Sequence, residues 1–310
     1  AERKGDGWRE VTYAKAQDYV HAIASHLITR DLGPDRPILV LSGNSVDHGL
    51  LTLAAQYIGI PTVPLAEQYS LIPAAHPRLI YAAGLVHPGM VYASDASQYS
   101  AALALDVFDG VEVVSSVSTQ QGQTDFNELF DPTNASISAA AQAIGPETLA
   151  KILLTSGSTS QPKGVLTTQG MMTTNQAQIA SCLPFITARP PRIVDWLPWN
   201  HVFGGSYNFN LMLANGGSLY IDDGKPAPGL FDRTLENIGT KSGTISFNVP
   251  IGFAQLVNAL DQDPHLRETY FSDLDMIFYA GASLPQDTWA ALERLAQEAG
   301  RNLPLITTSW

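Results

Sequence analysis

The sequence predicts an α/β fold: two packed α/β subdomains, each with a largely parallel sheet flanked by helices. Three observations lead there. Apolar runs of strand length, such as PILVLSG at 37–43, alternate with stretches that carry a helical stripe. The connections are short, and a strand–helix–strand rhythm with short loops belongs to parallel layers. The rhythm breaks once, in Ser/Thr/Gln- and Ala/Ser-rich material between about 115 and 143, and then resumes. Subdomains 1–145 and 146–310 follow, with the boundary approximate.

Taken in order, AERKGDGWREVTY reads as a hairpin around Asp6-Gly7. Ala16, Val20, Ile23 and Leu27 put an apolar stripe on 12–30, which predicts a helix. PILVLSG is a buried strand, 44–58 a helix, and IPTVPL a second strand. A helix at 95–106 and the strand VEVV at 111–114 complete the first half. SSVSTQQGQT (115–124) and the segment 135–143 read as connecting material. After them, AKILLTS and VLTTQ are strands and 170–183 a helix. IVDWLP, SLYIDD, TISFNVP and MIFYAGA give four more strands with helical segments between them. The helix at 285–298 carries Trp289, Leu292 and Leu295 on one side. Ser283 and Gln286 have the spacing of a capping box for it, with Pro285 in the first turn. LPLITTSW reads as a last strand. No fixed-period repeat is present.

Bulk properties narrow the partners. The 310 residues are 45% hydrophobic, enough for one large core or two. Only 15% are charged, against about 25% in ordinary soluble domains. With a net charge of −12 and scattered Lys and Arg, nucleic acid and anionic membranes are not expected as partners, because both need a basic face. Cys182 is the single cysteine, so no internal disulfide forms, and the seven His show no metal-ligand spacing. The longest apolar stretch, 50–66, is interrupted by Gln56, Pro61 and Pro64 and is not expected to span a bilayer. A cytoplasmic location is the resulting expectation. The oligomeric state stays open, a homodimer included.

The segment LLTSGSTSQPKG at 153–164 is the densest chemistry in the chain. A Walker loop needs glycine directly before the lysine, and here Pro162 stands there. A G-x-S-x-G nucleophile elbow is absent as well. What remains is a strand feeding a loop of hydroxyls and backbone N–H groups, with Pro162 stiffening the exit and Lys163 at its end. Such a loop can wrap phosphate oxygens. The same composition also suits a polar surface turn.

TSGSTSQPKG resembles the phosphate-loop signature of the adenylate-forming enzymes, which include acyl-CoA synthetases, luciferases and peptide-synthetase adenylation domains. Ser160 stands where that family usually has glycine. Other stretches match in order: REVTYAKA, AAQYIGIPTVPL, DWLPWNHVFGG at 195–205 and FYAGASLP at 278–285. Within the family, DWLPWNHVFGG, LYIDDGKP, FNVP and FYAGA together are most similar to the bacterial feruloyl-CoA synthetases. The resemblance covers nearly the whole chain and implies the family's N-terminal α/β domain.

The resemblance also implies chemistry. A carboxylate would attack the α-phosphate of ATP, with Mg²⁺, and CoA would then displace AMP. Thr155, Ser156, Gly157, Ser158 and Thr159 would hold the phosphates, with Thr159 and Lys163 contributing to catalysis. Lys163 would contribute less than the hydroxyls, because the family's main catalytic lysine lies in a later domain. Gly281, Ala282 and Ser283 would pass beside the adenine, and Trp310 would pack against it. His201 would face the substrate carboxylate. Trp199, Tyr207, Asn208, Asn248 and Tyr279 would join it in the acid pocket, although tryptophans such as Trp196 and Trp199 are equally at home in a core. No metal-binding residue falls in these segments. Asp222, Asp223 and Lys225 would form a solvated turn. The family's Gly-x-Thr-Glu stretch, its ribose-binding aspartate and its lid domain are not in this sequence, so the chain by itself is expected to be inactive or nearly so. The rival readings are a ligase for another acid, such as a fatty acid, a non-catalytic binder of nucleotide or acyl-adenylate, and a purely structural α/β protein.

Overall fold

A computed structural model describes residues 1–155 and 161–302, and the backbone of 305–307. Among the described residues there are fourteen strands: β1 (Glu2–Lys4), β2 (Gly7–Arg9), β3 (Ile38–Leu41), β4 (Thr62–Pro64), β5 (Met90–Ala93), β6 (Glu112–Ser115) and β7 (Thr124–Asp125). They continue with β8 (Leu149–Thr155), β9 (Lys163–Thr168), β10 (Arg192–Asp195), β11 (Ser218–Ile221), β12 (Ile245–Asn248), β13 (Met276–Tyr279) and β14 (Leu305–Thr307). The helices of eight residues or more are α1 (Tyr13–Leu27), α2 (Val46–Tyr57), α3 (His76–Val86) and α4 (Gln169–Cys182). After them come α5 (Phe231–Thr240), α6 (Pro250–Gln262), α7 (Pro264–Phe271) and α8 (Gln286–Glu298).

The chain forms two compact units. One comprises Val11–Ile179 with Pro198–Tyr207 and is built on a seven-stranded sheet in the order β7-β6-β5-β3-β4-β8-β9. Every neighbouring pair is parallel except β8–β9. β3 is buried along its whole length, which is why ILVL carries no polar alternation: both faces of a parallel sheet are covered. Leu39, Leu41, Val63, Leu79, Val91 and Phe108 form the core against it. The expected helices α1 and α2 start where their caps are written. The Thr12 hydroxyl accepts from Lys15 N at 3.2 Å, and that of Ser45 from His48 N at 3.1 Å.

Two elements of this unit differ from the sequence reading. α3 and β5 lie in a stretch given no element, yet β5 pairs with both β3 and β6. MVYA is four residues long between Pro88-Gly89 and Ser94, too short to show a period, and only its neighbours make it a strand. The helix expected at 95–106 is a single turn at Ser100–Leu103 followed by a 3₁₀ turn at Asp106–Phe108. Asp95 Oδ1 accepts from Ser97 N at 2.9 Å, a local bond that competes with helix at the start of that stretch. In the connecting segment 135–143, Ser138–Gln142 forms a short helix.

The other unit comprises Ala1–Glu10, Ala180–Leu197 and Asn208–Trp310. β10, β11 and β1 are parallel neighbours, and β2 closes the edge by an antiparallel hairpin in which Lys4 pairs with Gly7. The turn residues are therefore Gly5 and Asp6 rather than Asp6 and Gly7. β12, β13 and β14 are parallel. Arg192 N donates to Thr244 Oγ1 at 2.8 Å and Thr244 N to Arg192 O at 2.7 Å, tying β10 to the start of β12. Phe253, Leu260, Phe271, Ile277 and Leu292 form this unit's core. The boundary expected near residue 145 is not among the crossings between units, because β8 pairs in parallel with β4 and belongs to the first sheet.

Candidate active site

β8 and β9 are antiparallel, and their register sets Thr155 opposite Lys163. These two residues, both exposed, frame the polar segment between them. Ser156, Gly157, Ser158 and Thr159, with Ser160, lie outside the described residues. β8 runs parallel to β4, so its C-terminal end sits at the same edge as those of the sheet's parallel strands, where α/β folds hold their ligands.

The stretch 198–207 is attached to the same unit by specific contacts. Trp199 N donates to Asn44 Oδ1 at 3.0 Å, and its indole, 6% exposed, stands edge-on to His48 at 5.1 Å between ring centres. Burial pushes the His48 imidazolium pKa down to about 4, so the ring is neutral. His201 is exposed, and its Nδ1 accepts from Phe203 N at 3.2 Å. That bond leaves the neutral ring with its proton on Nε2, a donor with no partner among the described residues. Val202–Asn208 is wound as a π-helix, an arrangement frequent at functional sites. Gly205 N bonds to His201 O at 2.9 Å, and a Cβ at Gly205 would run into the Trp199 backbone carbonyl. No larger residue fits there without moving the stretch.

In the other unit, the residues after β10, β12 and β13 cluster at strand ends. Asn248 Oδ1 accepts from Trp196 Nε1 at 3.2 Å and from Val249 N at 2.9 Å. Asn208 is fully buried and donates to Asp195 Oδ2 at 3.0 Å. Asp195 is itself 2% exposed, and burial raises its pKa to about 7, with nearby Asp222 pushing the same way. Gly281 follows β13 with φ +91°, a conformation other residues rarely adopt, and Ala282 and Ser283 beside it are exposed. Tyr279 is buried within this unit's core, its ring 6.0 Å from that of Trp289.

The structure thus distributes the residues singled out from sequence. Thr155, Lys163, Trp199, His201 and Tyr207 belong to one unit, Asn208, Asn248, Tyr279, Gly281, Ala282 and Ser283 to the other. Trp310 lies outside the described residues. Asn208 is a buried partner of Asp195 rather than a wall residue. The capping box is not formed: α8 has Pro285 at its N-cap and no side-chain cap bond, since proline fixes the entry and Ser283 lies upstream of it. Asp222 is buried rather than solvated. It accepts from Asn237 Nδ2 at 2.7 Å and Gly224 N at 2.8 Å, and burial raises its pKa. Sequence reasoning passed over Asn44, His48 and Lys151, which hold the 198–207 stretch. Only Lys151, a charge inside an apolar strand pattern, gave a signal.

The sequence matches the family described as AMP-binding enzyme over residues 2–303. The chain belongs to the AMP-binding enzyme family. Among curated relatives it is 26% identical over 305 residues to the indoleacetate–CoA ligase of Aromatoleum aromaticum, covering 96% of this chain and 54% of that protein. It also resembles the solved structure of a benzoate CoA ligase from Burkholderia xenovorans, with a TM-score of 0.77 at 18% identity, covering 100% of this chain and 57% of that one. ATP-bound MatB from Rhodopseudomonas palustris gives 0.74 at 23% identity, covering 99% and 56%. At those identities the likeness to solved structures shows the fold alone, helices flanking largely parallel sheets. The chain spans just over half the length of each of these relatives. Among the described residues of this AMP-binding family member, no helix is long and apolar enough to cross a membrane.

Proposed function

We propose that the protein is an AMP-forming acid–thiol ligase that activates an aromatic carboxylic acid, of the hydroxycinnamate class such as ferulate, with ATP and loads it on CoA. One observation carries the reading: in a chain matched by the family from residue 2 to 303, the β8–β9 register sets Thr155 opposite Lys163, the two residues that bound the hydroxyl-rich sequence between them. The aromatic class is supported by the ordered motifs from DWLPWNHVFGG to FYAGA.

In this reading a carboxylate oxygen attacks the α-phosphorus of ATP and pyrophosphate leaves. The CoA thiolate then attacks the acyl carbon and AMP leaves. Thr155, Ser156, Ser158, Thr159 and the loop's N–H groups donate to phosphate oxygens as charge builds on the leaving pyrophosphate. His201, with its proton on Nε2, donates to the acid's carboxylate and turns the attacking oxygen toward phosphorus. Gly281, Ala282 and Ser283 let the adenine lie against backbone at the end of β13. Mg²⁺, when bound to the triphosphate, neutralises its charge. Among the described residues no set of three metal-binding side chains is gathered.

The test is acid-dependent ATP–pyrophosphate exchange and CoA thioester formation by the protein as its gene encodes it. Ferulate and related hydroxycinnamates are expected to give the highest kcat/KM in a panel that includes benzoate, indoleacetate and medium and long fatty acids. A preference for fatty acids would overturn the substrate class. No exchange with any acid would overturn the ligase reading.

A further inference from the structure

Lys151 lies on β8, four residues before Thr155, and its side chain is 4% exposed. Among the described residues its ammonium has no carboxylate partner. Its one acceptor among the described residues is the Gly205 carbonyl, at 2.7 Å. Burying an ammonium with a single neutral acceptor is costly, and an apolar side chain of the same length would fill the space without that cost. Packing therefore does not account for the residue, and the bond it makes must.

That bond closes a frame. The 198–207 stretch is held at its near end by Asn44 on Trp199 N and by His48 against the Trp199 ring. At its far end Lys151 takes the Gly205 carbonyl, and Gly205 N returns to His201 O at 2.9 Å. His201 sits between the two anchors. Lys151 and Thr155 share one face of β8, because side chains of a strand alternate and the β8–β9 pairing is regular from Lys151 to Thr155. Four strand steps separate them by about 13 Å. A single strand thus fixes both the entry to the phosphate loop and the stretch that carries His201.

We infer that Lys151 is a positioning residue: through the Gly205 carbonyl it sets the height of His201 over the face of β8 that leads to Thr155. The inference rests on the proposed ligase reading for its kinetic consequence, and on geometry alone for its structural one. Lowering of the Lys151 pKa by burial, to about 8, fits an ammonium held for its geometry.

The experiment compares Lys151→Met and Lys151→Ala with the wild type, in the protein as its gene encodes it. Lys151→Met is expected to raise KM for the acid about tenfold while KM for ATP stays within twofold, as misplacement of an orienting group does. Amide exchange across 199–207 is expected to accelerate while Tm is unchanged or higher. n-Propylammonium is expected to restore the acid KM of Lys151→Ala, and propanol is not. Equal rises in both KM values, or acid KM and amide exchange both within twofold of wild type in Lys151→Met, would overturn the inference. If the wild type activates no acid, the ligase reading fails by itself and amide exchange alone decides. Unaltered exchange in Lys151→Met then overturns the role of Lys151.

Discussion

In the proposed ligase reading, Thr159 and Lys163 would make two kinds of phosphate contact. A hydroxyl donor would act at short range on charge that develops during the reaction, whereas Lys163, exposed on β9 opposite Thr155, would act as a solvated charge. Thr159→Ala is therefore expected to lower kcat/KM for ATP by about 10²-fold, and Lys163→Ala by roughly tenfold or less. Equal activity in both variants would contradict the assignment of the loop. Ser160→Gly restores the residue usual in the family and is expected to preserve or improve ATP affinity measured by calorimetry. A large loss would mean that the Ser160 hydroxyl makes a contact of its own.

Asp195 and Asp222 occupy the ends of neighbouring parallel strands, with Asp222 N donating to Asp195 O at 3.0 Å. Burial raises both carboxyl pKa values, Asp195 to about 7. A carboxyl that stays protonated in the fold but ionises near pH 4 when unfolded contributes stability that is complete below about pH 4. That stability is lost as pH rises to about 7, and the loss is constant above it. Asp195→Asn removes the titration and keeps an acceptor for Asn208. The variant's Tm is expected to gain on the wild type between pH 4 and 7 and to hold that gain above. A Tm difference independent of pH would show that Asp195 ionises normally. β3 makes the complementary case for apolar burial: Leu39, with no exposed surface, is expected to cost about 2–5 kcal/mol on replacement by Ala. The measure is a lower urea midpoint at unchanged slope.

At the scale of the whole molecule, the proposed function predicts that a non-hydrolysable acyl-adenylate mimic binds only the folded protein, so that at 100 times its Kd it would stabilise by about 2.7 kcal/mol. An upward shift in Tm of several degrees is expected with a feruloyl-adenylate mimic, and a smaller one with an alkyl mimic. Such a shift without acid-dependent pyrophosphate exchange would identify a binder that does no chemistry, and no shift with either would leave a structural α/β protein.

The sequence by itself determined the α/β class and the helices at 12–30 and 44–58. Each is written in local chemistry: an unbroken apolar run for a buried strand, a helical stripe of apolar residues for a helix. The same locality misled where partners lie far along the chain. β5 is a strand because β3 and β6 flank it. Asp222 is buried where Asn237 Nδ2 donates to its carboxylate, and β8 belongs to the first sheet because it pairs with β4. Only the tertiary structure decided that Lys151 meets Gly205, 54 residues away, since no local pattern announces which carbonyl a buried ammonium will find.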